Sequence, residues 1–268
     1  TVWVNNVIVS DLTRRPTKGD IMNFVGKLTV VIAILGLSIS PLPAHARDPL
    51  TVEKYVKYFD QIVFRSEYAS TRASYILRKW PGPVIKFKIG GLKKPAEKYR
   101  KVIARHSKAL SRYGAPKFVE IGGQVPGEDI IFMFVRTDSM LKAGRLLEKD
   151  ESVLRDMAKG RCYFLSYHMP DGKLVKAMIV VNAELPDFNI RHCLLEEMAQ
   201  TLGLPNDSPY VSPSLFNDRE QRQELSQIDK VLVRTLYDKR MKAGMPREAA
   251  LKMAHRVISR LMGKAAND

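Results

Sequence analysis

Residues 193–207 read Cys-Leu-Leu-Glu-Glu-Met-Ala-Gln-Thr-Leu-Gly-Leu-Pro-Asn-Asp, and the fold is best deduced from this stretch. Its apolar residues recur at helical spacing, which predicts a helix from Asp187 to about Leu202 with one face in a core. The core face consists of Leu194, Leu195, Met198, Ala199 and Leu202, and the opposite face of Cys193, Glu196, Glu197 and Gln200. Gly203 follows the last apolar residue, where a glycine can end a helix in the left-handed conformation.

The segments around this helix predict an α/β (α+β) fold with a sheet. Strand-like runs occupy 84–89, 117–121, 130–135, 162–168 and 174–182. The turn sequence Pro170-Asp-Gly172 joins the last two runs as a hairpin and places Cys162 roughly opposite Val181. Helical spacing marks the start of 49–78, then 95–113, 139–158 as one helix or two, 226–236 and 246–262. His106 falls on an apolar stripe, where we expect a packed, hydrogen-bonded histidine rather than a metal ligand.

The chain carries a predicted export signal that begins at Met22. Lys27 precedes an apolar run from Leu28 to Ile39, and Ala44-His45-Ala46 has the small-x-small pattern that a signal peptidase cleaves. We expect residues 22–46 to be a signal peptide, and residues 1–21 to lie upstream of the native start. The mature protein would begin at Arg47 and be periplasmic or secreted. An uncleaved N-terminal anchor is the alternative.

The charge balance predicts anionic surroundings. The net charge is +16, and removal of 1–46, with four Lys/Arg and two Asp/Glu, leaves +14. A basic exported protein suits phospholipid, lipopolysaccharide or acidic cell-wall polymers, whereas nucleic acid is not expected as a partner. Because Lys and Arg are scattered through every segment, an ordinary solvated surface explains the charge as well.

The two cysteines, Cys162 and Cys193, predict a disulfide. Exported proteins meet an oxidising compartment, where an even pair of cysteines is typical of a bridge. The hairpin register brings Cys162 close to the end of the strand that leads into the helix with Cys193, which is within reach of a disulfide. Free, buried thiols are the alternative.

The stretch from Glu196 onward resembles the metzincin zinc-peptidase motif H-E-x-x-H-x-x-G-x-x-H. The resemblance places Glu196, Gln200 and Asn206 at the three metal-binding histidine positions and Glu197 at the position of the general base. Gly203 matches the motif glycine, and Asp207 is a further candidate oxygen ligand. The resemblance implies a zincin-like fold, with a mixed twisted sheet, an active-site-type helix beneath it and a small helical C-terminal subdomain.

A second segment supports this resemblance. Residues 212–217 read Ser-Pro-Ser-Leu-Phe-Asn and resemble the tight turn beneath the metal in metzincins. Ser214 and Asn217 lie in this turn, and Phe216 stands where methionine usually sits. The resemblance divides the exported chain into a zincin-like N-terminal subdomain, 47–204, and a helical C-terminal subdomain, 205–268.

Larger blocks of the chain are similar to an uncharacterised family of exported bacterial proteins, a domain of unknown function with this zincin-like signature. The blocks are Arg78-Lys-Trp80-x-x-Pro83, residues 193–207, Pro213-Ser-Leu-Phe-Asn-Asp218, and Leu236-Tyr-Asp-Lys-Arg240 followed by Gly244-Met245. They are distributed over residues 75–246, so the resemblance extends over the greater part of the exported chain.

The replaced histidines change the expected chemistry. Zinc in this fold requires imidazole ligands and an open water position. A carboxylate and two amides are hard oxygen donors, which suit Ca²⁺, Mg²⁺ or Mn²⁺ rather than zinc. We therefore expect no zinc cofactor, with weak binding of a divalent cation through oxygen ligands as the remaining option. The alternative interpretation is that no site exists here, and that Glu196, Glu197 and Gln200 form the solvated face of an ordinary helix.

Three functions follow from these observations. The first is an exported metallopeptidase-like protein that has lost zinc proteolysis and binds peptide or envelope polymer in the former cleft. The second is an active hydrolase with Glu197 as general base and oxygen ligands at Glu196, Asn206 and Asp207. The third is a basic module that binds an anionic membrane surface through its last helix. The basic residues for this function lie in that helix or just before it: Lys242, Arg247, Lys252, Arg256 and Arg260.

Overall fold

The computed structural model describes residues 50–65, 74–122, 126–158, 161–217 and 219–265. Its helices are α1 (Val52–Phe64), α2 (Lys93–Ser111), α3 (Met140–Gly144), α4 (Glu151–Ala158), α5 (Asp187–Gln200), α6 (Gln227–Leu236) and α7 (Arg247–Ala265). Its strands are β1 (Val84–Gly91), β2 (Lys117–Glu120), β3 (Ile130–Val135), β4 (Cys162–His168) and β5 (Leu174–Asn182). The predicted signal peptide, 22–46, and the segment 1–21 lie outside the described residues.

The five strands form one mixed sheet in the order β2-β1-β3-β5-β4, which confirms the predicted α/β class. The first three pairings are parallel, whereas β4 runs antiparallel to β5. The hairpin turn at Gly172 has a positive φ of 77°, a conformation that glycine adopts without cost. Cys162 pairs with Val181, as the turn sequence predicts. The antiparallel strand β4 lies at one edge of the sheet.

The two faces of the sheet pack against different helices because side chains alternate along each strand. Phe87, Phe132, Ile179 and Val181 belong to the main core, to which α2 and α5 contribute their apolar stripes. A smaller cluster on β3, β4 and β5 packs against α3 and α4; it contains Val135, Met140, Tyr163, Met178 and Val180. The helix α5 packs against β4 and β5.

The C-terminal helices join the main core rather than pack by themselves. Ser226 and Asp229 form a capping box that starts α6, as the Ser-x-x-Asp sequence predicts. Leu232 on α6 and Ala254 on α7 share one buried cluster with Phe59 on α1 and Leu194 on α5. The boundary between subdomains 47–204 and 205–268 stays a prediction. Among the described helices, none has the length and apolar character needed to cross a membrane.

Candidate functional site

Helix α5 is buried on both of its faces. Leu194, Leu195 and Met198 are fully enclosed, as expected. On the opposite face Glu197 is 5% exposed and Gln200 is 4% exposed, so these two polar side chains do not face open solvent. The interpretation of this face as an ordinary solvated helix surface is therefore wrong. Burial of a carboxylate costs free energy unless polar groups surround it, so the position of Glu197 needs a polar environment.

A disulfide joins α5 to the sheet. Cys162 at the start of β4 is bonded to Cys193 on α5, with 6.0 Å between their Cα atoms. The predicted bridge is confirmed, and the alternative of two free thiols is wrong. Because it closes a loop between residues 31 apart, the bridge fixes where the polar face of α5 lies relative to the edge strand.

The carboxylates of Glu196 and Glu197 lie beside this disulfide. One oxygen of each carboxylate and the sulfur of Cys162 are all within 4.8 Å of one another. The Cys162 sulfur is oxidised in the bridge and offers no thiolate to a metal. The site therefore presents a pair of carboxylates, with Glu197 buried and the Glu196 side chain 13% exposed, at the head of β4.

His192 is a site residue that sequence reasoning missed. Its Nε2 lies 3.3 Å from a Glu196 carboxylate oxygen, one helical turn along α5. Its Nδ1 lies 3.0 Å from both the amide nitrogen and the carbonyl oxygen of Arg222. A hydrogen bond from Nε2 to Glu196 requires the proton on Nε2. The signal was available, since His and Glu four residues apart face each other on a helix.

Gln200 and Asn206, which stand at the other two histidine positions of the resembled motif, form hydrogen bonds within the protein. Gln200 Nε2 donates to Asp207 Oδ1 at 2.9 Å. Asn206 Nδ2 donates to the Gln61 carbonyl oxygen on α1 at 2.8 Å, and the Asn206 amide donates to the Ile62 carbonyl oxygen at 3.1 Å. Asn206 therefore ties the segment after α5 to helix α1. No sequence signal pointed to Gln61, because its contact spans 145 residues of the chain.

The predicted turn at 212–217 is buried and rich in hydrogen bonds. Ser214 Oγ donates to Asp229 Oδ1 at 2.6 Å, and Asn217 Nδ2 donates to the Val211 carbonyl oxygen at 3.1 Å. Burial raises the pKa of Asp229, and the hydrogen bonds that it accepts from Ser214, Ser226 and Leu215 partly oppose this rise. Phe216 is fully enclosed, and its carbonyl oxygen accepts a hydrogen bond from the Ser208 amide at 2.8 Å. Its place beneath Glu197 stays a prediction.

The C-terminal end of α5 is held by residues of the other sequence blocks that carry the family resemblance. Trp80 Nε1 donates to the Thr201 carbonyl oxygen at 2.8 Å, and the Tyr237 hydroxyl donates to the Leu202 carbonyl oxygen at 2.8 Å. These side chains satisfy carbonyl groups that the end of a helix leaves without intrahelical partners. Gly203 has a positive φ of 107°, which confirms the predicted left-handed end of the helix.

The donor set of this site does not fit zinc. Where the resembled motif has three imidazoles, the chain has a carboxylate paired with His192 and two amides that bond to Asp207 and Gln61. Zinc sites use Cys sulfur, His nitrogen and carboxylate oxygen rather than neutral amides. The carboxylate pair can instead accept hydrogen bonds from N–H or O–H donors, or attract a cation.

Comparison with known proteins identifies a family but no activity. A family model described as "Protein of unknown function (DUF2927)" matches residues 53–255, which is most of the chain. No curated protein matches the sequence. The match runs from α1 to the first half of α7, and it includes the disulfide, the carboxylate pair and the turn at 212–217. The chain therefore belongs to the DUF2927 family.

Proposed function

We propose that the protein is an exported, metallopeptidase-like protein that binds peptide in a zincin-like cleft beside α5 and lacks zinc-dependent proteolysis. The observation that carries this proposal is the Glu196–Glu197 carboxylate pair, within 4.8 Å of the disulfide sulfur at the head of edge strand β4. Two acidic groups at the start of a strand edge combine hydrogen-bond acceptors with a backbone that can pair with an extended chain.

The edge position of β4 favours a peptide ligand over a polymer without amide groups. An edge strand presents N–H and C=O groups that face away from its neighbour, and an extended peptide can pair with them. The carboxylates then accept hydrogen bonds from peptide N–H groups or basic side chains. Envelope polymer is the second candidate ligand, and the same experiment distinguishes the two.

The proposed loss of zinc proteolysis follows from the donor set. The groups at the histidine positions bond to His192, Asp207 and Gln61, and neutral amides are poor zinc ligands. Purified without chelator, the protein should hold well below one zinc per chain. Stoichiometric zinc bound at Glu196, Gln200 or Asn206 would contradict the proposal.

Active hydrolysis is a second candidate, favoured by the burial of Glu197 beside a second carboxylate. Two neighbouring carboxyl groups can divide the roles of general acid and general base between them. In this candidate Glu197 acts as the base and accepts a proton from water that attacks the substrate. Cleavage of a fluorogenic casein substrate, with and without added Ca²⁺, Mg²⁺ or Mn²⁺, measures it.

Binding of fluorescein-labelled casein peptides, followed by fluorescence anisotropy, tests the proposal. Glu197→Gln keeps the shape of the side chain and should weaken binding at least tenfold. Glu97→Gln removes the same charge from an exposed position on α2 and should leave binding unchanged. A thermal melt checks that Glu197→Gln folds, and Glu196→Gln provides a second variant. If the parent protein binds cell-wall sacculi but no peptide, envelope polymer replaces peptide as the proposed ligand. If it binds neither sacculi nor peptide, the proposal is overturned.

The last helix gives the membrane-surface function less support than its number of basic residues suggests. Arg247 pairs with Asp60, Lys252 with Glu248 and Arg260 with Asp238. These three pairs reduce the positive charge that the helix offers to anionic lipid. Lys242 and Arg256 are the other two basic residues predicted for membrane binding. Membrane binding stays a prediction, and sedimentation with anionic vesicles measures it.

A further inference from the structure

A cavity of about 510 Å³ lies between the C-terminal half of α2 and the start of α6. Arg105, Lys108 and Arg112 line it from α2, and Lys230 lines it from α6. Sites for small organic ligands have volumes of roughly 300–1,000 Å³, so this cavity has a suitable size. Glu196 and Glu197 do not line it, so an inference about this cavity does not rest on peptide binding beside α5.

The basic side chains that line the cavity outnumber its carboxylates. Glu224 is the one carboxylate among the described residues that line it. Elsewhere on the same and adjoining elements, arginines form ion pairs: Arg100 with Glu120, Arg191 with Asp187 and Arg222 with Glu220. In the described part of the chain, the four cavity cations have no carboxylate within 4.0 Å. Their mutual repulsion is thus relieved by solvent or by an anion.

Helix electrostatics explain only part of this arrangement. Basic residues are favoured near a helix C-terminus, which accounts for Lys108 and Arg112 at the end of α2. Lys230 lies in the first part of α6, where the helix dipole disfavours a positive charge. Two helices therefore direct cations into the same space, although the helix dipole favours only those on α2.

An aromatic ring positions the cations that α6 contributes. Lys230 Nζ lies 5.8 Å from the centroid of the Tyr113 ring, and the Arg234 guanidinium carbon lies 5.0 Å from it. Cation–π contacts of this kind hold basic side chains in place while leaving their N–H donors available. Arg234 does not line the cavity, but its guanidinium group contacts Tyr113, which does.

The inner wall of the cavity is apolar or neutral. Leu195 and Leu225 line it, and both are buried. His106 is also buried, as predicted, with Nε2 3.2 Å from the Arg191 carbonyl oxygen. Burial lowers the pKa of His106 to about 4, so its imidazole is neutral near pH 7. A ligand in this cavity would place an organic body on the inner wall and anionic oxygens at the rim.

We propose that this cavity binds a phosphate ester of a small polar molecule, with the phosphate held by Lys108, Arg112 and Lys230. A phosphate monoester carries up to two negative charges and three acceptor oxygens, and guanidinium groups bind it with two parallel hydrogen bonds. The aromatic and apolar wall contacts the esterified body. Soluble sugar phosphates and phospholipid headgroups both present this chemistry.

Isothermal titration calorimetry at low ionic strength tests the proposal with glucose 1-phosphate, and with glucose as the neutral control. The double variant Lys108→Gln/Arg112→Gln should lower the affinity for glucose 1-phosphate at least tenfold. Lys93→Gln/Lys94→Gln removes the same charge from the other end of α2 and should change the affinity less than twofold. The His106 ring resonances should shift on binding, which places the ligand in the cavity. If the double variant does not fold, Lys230→Gln replaces it, with the same direction of change expected in the affinity.

The source of the phosphate is resolved with vesicles. The protein is sedimented with vesicles that contain phosphatidylglycerol, and pure phosphatidylcholine vesicles are the control. A lipid headgroup is supported if the Lys108/Arg112 variant loses binding to the anionic vesicles and the Lys93/Lys94 variant keeps it. Equal losses in both double variants would show a general charge effect and overturn the proposal. Absence of binding to both glucose 1-phosphate and anionic vesicles would overturn it as well.

Discussion

Replacement of Gly203 by alanine directly tests the geometry that ends α5. Gly203 has φ +107°, and a Cβ atom at this position would lie 2.2 Å from the Arg78 carbonyl oxygen. A residue with a side chain pays about 1–2 kcal/mol in a left-handed conformation, and forced overlap in a packed region costs a further 1–3 kcal/mol. We expect Gly203→Ala to lower the free energy of unfolding by roughly 2–5 kcal/mol. For a domain of this size, that corresponds to a Tm decrease of roughly 4–20 °C.

Gly263→Ala is the matched control for this change. Gly263 lies in α7, and a Cβ added there meets no heavy atom within 4 Å. Alanine is the better helix former by about 0.5–1 kcal/mol, so this variant should be as stable as the parent or slightly more stable. Urea denaturation followed by circular dichroism measures both. A Gly203→Ala protein as stable as the Gly263→Ala protein would refute the close approach of Arg78 to the end of α5.

The other predictions concern the disulfide, a buried lysine and the export signal. Because the bridge closes a loop of 31 residues, Cys162→Ser/Cys193→Ser should lower the free energy of unfolding by roughly 3–4 kcal/mol in urea denaturation, and a loss below about 1 kcal/mol would contradict this. Burial lowers the pKa of Lys79 from 10.5 to about 8, so the unfolded chain binds more protons between these values. Stability should therefore rise with pH from about 8 to 10.5 in the parent, and Lys79→Met should lack this rise. N-terminal sequencing of the exported form should give Arg47 as the first residue; an intact Met22 would refute cleavage after Ala46.

Local sequence signals were sufficient where a short turn or a helix end determined the structure. Pro170-Asp-Gly172 determined the hairpin register, which in turn placed Cys162 opposite Val181 and within reach of Cys193. Gly203 ended α5 because glycine adopts a positive φ without steric cost. These features depend on backbone conformations that a few neighbouring residues impose.

Other features depend on contacts between distant parts of the chain, which periodicity does not reveal. Periodicity left a solvated surface as the alternative interpretation of the polar face of α5, whereas Glu197 and Gln200 are buried. Asn206 reaches Gln61, and Trp80 reaches Thr201, across more than a hundred residues. The cavity between α2 and α6 likewise depends on how two helices pack, so its lining could not be identified from either helix separately.

Amide hydrogen exchange of β4 in the presence of casein peptides tests the proposed function most directly. If an extended peptide pairs with the edge of the sheet beside Glu196 and Glu197, those amides of Cys162–His168 that do not bond to β5 gain hydrogen-bond partners. Their exchange should slow at saturating peptide, while exchange in β2 at the opposite edge stays unchanged. Unchanged exchange in β4, or equal slowing in both edge strands, would contradict a peptide-binding cleft at this site.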